Sequence, residues 1–202
     1  MANLSIKVND DVSIYLNDIW VLCEEYINAL DNPDMIYKSS IFRGMLDYIY
    51  RYGLKDIYLY NPKKSNTLNY DLLDNIFFEL YLPIVYKYNA IPSILGFCTM
   101  LRIDSNNISY VYKGVYQDGS VVNKHNSDIV KKWYSVSESS LYDKAVQENG
   151  IGAIFGLKAG FGWKEAVAAP EPYSVPTIDS PETIAERHKQ NVLTMPEKPT
   201  LD

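Results

Sequence analysis

Apolar residues return every three or four positions in one stretch after another, and a Pro or Gly closes each stretch. That spacing lays a single apolar stripe along a helix, whereas a half-buried strand would alternate at every second residue. The pattern confines the chain to a mainly α fold. Ile14, Ile19, Leu22, Cys23, Tyr26, Ile27 and Leu30 predict a first helix, capped by Asp11 or Ser13. It should end at the DNP of residues 31–33, because proline lacks an N–H and restricts the residue before it. Phe42, Met45, Leu46, Ile49 and Tyr50 predict a second helix from about Ser40, stopped by Gly53. Residues 61–69 (NPKKSNTLN) read as a polar loop. Leu72, Leu73, Ile76, Phe77, Leu80 and Tyr81 predict a third helix, in which Pro83 forces a kink or a restart.

Composition narrows what such a bundle can be. The 202 residues suit one domain with an appendage or two small domains. No apolar run reaches the roughly 18–20 residues of a membrane span, and the N-terminal residues lack the basic and apolar regions of a secretory signal. No membrane association is therefore expected. Cys23 and Cys98 sit among apolar neighbours and read as small core residues in a reducing compartment. The eighteen Tyr accompany many Asn, Ile and Lys, a bias that AT-rich codons explain better than an aromatic binding surface. A net charge of −6 argues against coating nucleic acid by electrostatics alone. The charge is uneven, however. Residues 1–90 hold eight basic and twelve acidic groups, residues 91–165 eight and seven, and residues 166–202 three and six. A contact with DNA belongs in the central segment.

That segment, IPSILGFCTMLRID at residues 91–104 followed by SNNISYVYKG, reads as helix, short turn, helix. Pro92 suits the first turn of the first helix, and Ile94, Leu95, Cys98 and Leu101 supply its buried face. After a break at Arg102 and Ile103, Asp104 or Ser105 can cap a second helix. Ile108 and Val111 would face inward. Asn106, Asn107, Tyr110 and Lys113 would face outward, where Asn can pair with adenine and Tyr or Lys can reach phosphate. The same unit also serves simply to pack three helices, and only Arg102 and Lys113 are basic nearby.

Asp118 and Gly119 then predict a small hairpin or extended loop. His125 has no second ligand at metal-binding spacing and reads as a solvated loop residue, so no metal or other cofactor is expected. A helix from Asn126 or Ser127 should bury Ile129, Trp133, Val136, Leu141 and Ala145, and end near Asn149 and Gly150 with a left-handed cap. GIGAIFGLKAGFGWKE is not a phosphate loop. It predicts a short helix that tucks Phe155 and Trp163 onto the core, closed by Gly160 and Gly162. Beyond it, six of the ten Pro fall between residues 170 and 199, predicting an extended linker. Within it, Ser180 and Pro181 can start a helix that carries Ile184, His188 and Val192 on one face. That piece is either a marginal, mostly unfolded helix or a segment that orders on a partner. The expected organisation is an N-terminal helical region (1–88), a helix–turn–helix and long-helix domain (89–165) and a Pro-rich tail (166–202).

CEEYI with its following NP, then IPSILGFCTMLRID, then SLYDKAVQENGIGAIFGLKAGFGWKE, together resemble the small terminase subunits of tailed bacteriophages. IFGLKAGFGWKE is similar to the family's closing element nearly position for position. The resemblance covers residues 15–35 loosely and 83–165 more specifically, and does not reach the tail. Arg102 stands where the family has a turn Gly, and residues 115–126 make a longer connection than usual. The resemblance implies a protein that is not an enzyme and needs no cofactor. It implies a homo-oligomeric ring in the host cytoplasm that binds double-stranded viral DNA and delivers it to the large terminase subunit. Arg102, Ser105, Asn106, Asn107, Tyr110 and Lys113 are the expected DNA contacts. Ile184, His188 and Val192 are the expected docking residues for the large subunit or portal. Two alternatives remain: a head–tail adaptor that reads no DNA sequence, and a dimeric helix–turn–helix transcription regulator.

Overall fold

The computed structural model describes residues 5–9, 12–61, 64–147 and 150–163. Ile184, His188, Val192 and the rest of the Pro-rich tail lie outside the described residues. The fold is mainly helical, with small antiparallel hairpins. In chain order the elements are β1 (Ser5–Lys7), β2 (Ser13–Tyr15), α1 (Leu16–Asn28), α2 (Ser39–Ile49), β3 (Tyr60–Asn61), β4 (Lys64–Leu68), α3 (Tyr70–Ile76), α4 (Leu82–Lys87), α5 (Ile94–Leu101), α6 (Ser105–Tyr112), α7 (Lys124–Gln147) and α8 (Ile151–Phe161).

The first departure from the sequence pattern lies at the start. Ser13 caps no helix: it belongs to β2, which pairs with β1 through Ile6 opposite Ile14, both buried. Val12 N–H donates to Asn9 Oδ1 and closes that hairpin, so α1 starts only at Leu16. The polar stretch at residues 61–69 is likewise no plain loop, because β3 and β4 pair across it. Both hairpins are too short for a period-two pattern to show. At the expected site near Gly119, one isolated bridge joins Val115 to Val121.

Two helices change pitch for identifiable reasons. Pro83 has no N–H to give to a carbonyl four residues back, and the preceding turn, Phe77–Tyr81, opens into a π-helix. Leu82 N–H there reaches back five residues to Phe77 O. Gly53 does not stop the second helix either. A π turn, Tyr50–Leu54, carries the chain through it, and a Cβ at Gly53 would stand 2.8 Å from Leu22 Cδ1 and 2.9 Å from Ile19 Cδ1. Glycine is there so that this turn can press against α1.

One core runs from Ile6 to Trp133 without interruption at residue 88. Residues on both sides of the expected boundary contribute to it. Its centre is aromatic. Phe77 stacks on Trp133 with ring centroids 5.5 Å apart, and Phe97 meets both edge-on at 5.0 and 5.2 Å. Phe97 takes the place expected of Leu95, which is exposed. Trp133 is fully enclosed, so its indole N–H needs a partner, which Asp74 Oδ1 supplies at 2.8 Å. Asp74 Oδ2 takes Lys132 Nζ, also at 2.8 Å. Ala145, Ala153 and Leu157 form a separate, smaller cluster where α8 folds back on α7. Phe155 and Trp163 are not tucked into either core: they are 64% and 44% exposed.

Candidate nucleic-acid interface

The helix–turn–helix is built on Ser93. Its Oγ accepts the Gly96 N–H at 3.0 Å and so caps α5, which starts two residues later than Pro92 suggested. Pro92 lies buried just outside the helix. Tyr81 locks the cap from below: its hydroxyl donates to Ser93 O at 2.9 Å and accepts from Ser93 N–H at 3.0 Å. A Cβ on Gly96 would come within 2.5 Å of that hydroxyl. Burial pushes the Tyr81 phenol up, partly offset by its bonds to Ser93, so it stays a neutral donor. Cys98, inside α5, has its thiol pushed up to about 12 by burial and then by Asp104. It is a packed thiol, not a reactive one.

Arg102 closes the turn in the left-handed conformation, φ 53° and ψ 36°. Its N–H reaches Thr99 O at 3.4 Å while Ile103 N–H returns to Cys98 O at 3.2 Å, the paired bonds of a left-handed helix end. A residue with a Cβ pays roughly 1 kcal/mol for that conformation. Its guanidinium offsets the cost by pairing with Asp47 on α2 and lying 5.6 Å from the centre of the Tyr50 ring. Arg51 holds the other oxygen of Asp47 at 2.6 Å. Partial burial would raise the Asp47 carboxyl, but the hydrogen bonds from the two guanidiniums outweigh it and hold it below the usual carboxylate range. Arg102 therefore ties the turn to α2.

Asp104 caps α6 through Oδ1, which accepts Asn106 N–H at 2.9 Å. Ile108 and Val111 are buried, as expected, and Tyr112 stacks on Tyr134 of α7 at 4.2 Å. The inner side of α6 is thereby fixed, and Asn106, Asn107 and Lys113 stand exposed on the outer side. Ser105 and Tyr110 are half-buried. The structure thus brings Asn106, Asn107, Tyr110 and Lys113 onto the outer side of α6, while Arg102, paired with Asp47, shares an open cleft with Asp104 and Ser105.

Tyr110 and Asn107 also line a cleft of about 460 Å³, shared with Thr67 of β4 and with Tyr116, Gln117 and Asp118 from the following loop. Asp118 Oδ1 accepts both the N–H and the hydroxyl of Ser120, at 2.9 and 2.6 Å, and these bonds hold its carboxyl low. The hairpin that supplies Thr67 was invisible in the sequence pattern. The Asp118–Gly119 turn was the one signal that could have pointed to this wall. His125, expected in a loop, sits in the first turn of α7 with Nε2 2.6 Å from Asp71 Oδ1. The helix starts before Asn126 because Asn123 Oδ1 accepts the Asn126 N–H at 3.0 Å. Among the described residues, no group of three or more His, Cys, Asp or Glu could hold a metal ion.

Compared with family models, curated proteins and solved structures, the chain matches none.

Proposed function

We propose that this protein is a DNA-recognition subunit of the small terminase kind, which binds viral genome DNA as a homo-oligomeric ring and passes it to a large subunit. One observation carries the DNA half of the reading. α6 is anchored by Ile108, Val111 and the Tyr112–Tyr134 stack while Asn106, Asn107 and Lys113 face outward. A second helix held from behind, with amide and ammonium groups in front, is the arrangement that reads a major groove. One such face is weak. Repeated around a ring, several of them act together through effective concentration, which lets an acidic chain hold DNA.

Fluorescence anisotropy with packaging-site DNA and with unrelated duplex tests this. Lys113→Ala should weaken both equally and flatten the salt dependence by about one unit. Asn107→Ala should cost ~1–3 kcal/mol on the preferred site and little elsewhere. No binding to any duplex in low salt would overturn the reading. Removing residues 166–202 should abolish capture of the large subunit while DNA binding persists, and retained capture would free the tail of that role. A head–tail adaptor is the second reading, favoured by the bare apolar side of α8, and it would give DNA-independent assembly only.

A further inference from the structure

α8 is apolar except for Lys158. Ala153 and Leu157 face α7 and are buried, as a single docked helix requires. Ile151, Ile154, Phe155 and Lys158 follow the i, i+3, i+4, i+7 spacing of the opposite side. Ile151 is 70% exposed and Phe155 64%. A helix this apolar calls for cover on most of its sides, and among the described residues α7 covers only half of it.

Elsewhere on the same unit lies a groove of matching chemistry. β2, α1 and the π turn Tyr50–Leu54 enclose about 380 Å³, floored by Ile14, Ile19 and Ile57 and rimmed by Tyr15, Val21 and Tyr52. Val21 and Tyr52 are 54% and 66% exposed. Charge distinguishes the two surfaces. α1 carries Asp18, Glu24 and Glu25 and no basic residue, whereas Lys158 is the one charged residue of α8. Asp18 lies in the groove, and Lys158 lies over the Phe155 ring on the ridge. Two α8 ridges packed on each other would set lysine against lysine, which disfavours a two-fold contact.

We propose that the α8 ridge of one copy of this chain seats in the Tyr15–Val21–Tyr52 groove of a second copy, with Lys158 meeting Asp18. The inference rests on the assembly half of the reading above and names its interface. Each copy then offers one ridge and one groove, so the contact runs head to tail and repeats until a ring closes.

Sedimentation velocity on the full chain tests it, with circular dichroism to verify folding. Phe155→Glu and Tyr52→Glu should each lower the association constant by about 30-fold or more, since buried aromatic anchors dominate interfaces. Mixing these two variants should give a 1:1 pair and nothing longer, because one keeps a sound groove and the other a sound ridge. Lys158→Glu and Asp18→Lys should each weaken assembly, and the double exchange should restore it. Undiminished assembly in either Glu variant, or no pair on mixing, would overturn the interface while leaving a ring built on other surfaces standing. A wild-type chain that stays monomeric at about 100 µM, where even weak contacts populate, would remove interface and ring together. DNA binding by anisotropy is read separately and survives or fails on its own.

Discussion

The two halves of α7 stand in different environments. Over 24 residues the helix is about 36 Å long. Its first half buries Ile129, Val130 and Trp133 in the main core. Its second half carries α8 through Ala145 and half-buried Leu141. The difference separates two tasks. The first half is a fixed platform for α6, through the stack of Tyr134 on Tyr112. The second half carries an apolar helix that the described residues leave half covered. In the function proposed above, the rigid platform lies under the DNA-reading surface and the bare apolar helix lies at the assembly contact.

The largest expected effect breaks the platform. Trp133→Ala removes the ring on which Phe77 and Phe97 pack and leaves Asp74 without its indole donor. It should cost ~3–5 kcal/mol in urea unfolding, and Lys132 cannot make up for the lost packing. Leu157→Ala, in the small cluster, should cost about half as much or less, because fewer neighbours surround it. It should loosen α8 first: proteolysis in residues 150–163 should rise while the main transition stays close to wild type. Equal losses from the two substitutions would show that the main core and the α8 cluster melt as one.

The next effect sharpens the platform side alone. Gly96→Ala puts a methyl within 2.5 Å of Tyr81 Oη, the atom that holds both polar groups of the Ser93 backbone. Something must shift, and ~1–3 kcal/mol is the usual cost of overpacking a tight site. Tyr81→Phe combined with it should recover part of the loss by removing the oxygen, which a double-mutant cycle measures. The α8 cluster should be indifferent to both changes.

These residues also mark how far the sequence could be read. The helix–turn–helix was legible because its signals are local: Asp104 can cap and Ile108 and Val111 recur at helical spacing, although Pro92 drew the start of α5 away from its true cap, Ser93. The hairpins were not, since strands of two to five residues carry too little period to read, and the first is closed by a side-chain bond from Asn9. Phe155 and Trp163 were misplaced for another reason. Apolar side chains announce that they will be buried but not in which chain, and α8 looks the same by sequence whether its cover is a core or a partner. Arg102 reads from sequence as a basic residue at a turn, and its carboxylate partner, 55 positions away, is a tertiary fact that no local signal carries.

The smallest expected effect concerns that pair. Asp47 has its folded value held below the ordinary 3.8, so the pair contributes stability above the unfolded value and loses it as pH falls through the folded one. Because the Arg102 side chain is half exposed, the contribution is small, about 0–1 kcal/mol. Wild type should therefore lose slightly more stability than Asp47→Asn on going from neutral pH to below pH 3.8, with the gap confined to the acid limb. Arg102→Gly separates the two roles of the position. It relieves a left-handed φ of 53°, worth roughly 1 kcal/mol, and forfeits an ion pair of similar size. Thermal stability at pH 7 should stay within about 0.5 kcal/mol of wild type, and its acid limb should fall between those of wild type and Asp47→Asn, because Arg51 still holds Asp47. DNA affinity in this variant should hold, because the guanidinium it removes faces α2; a fall equal to that of Lys113→Ala would mean that Arg102 leaves Asp47 when DNA arrives.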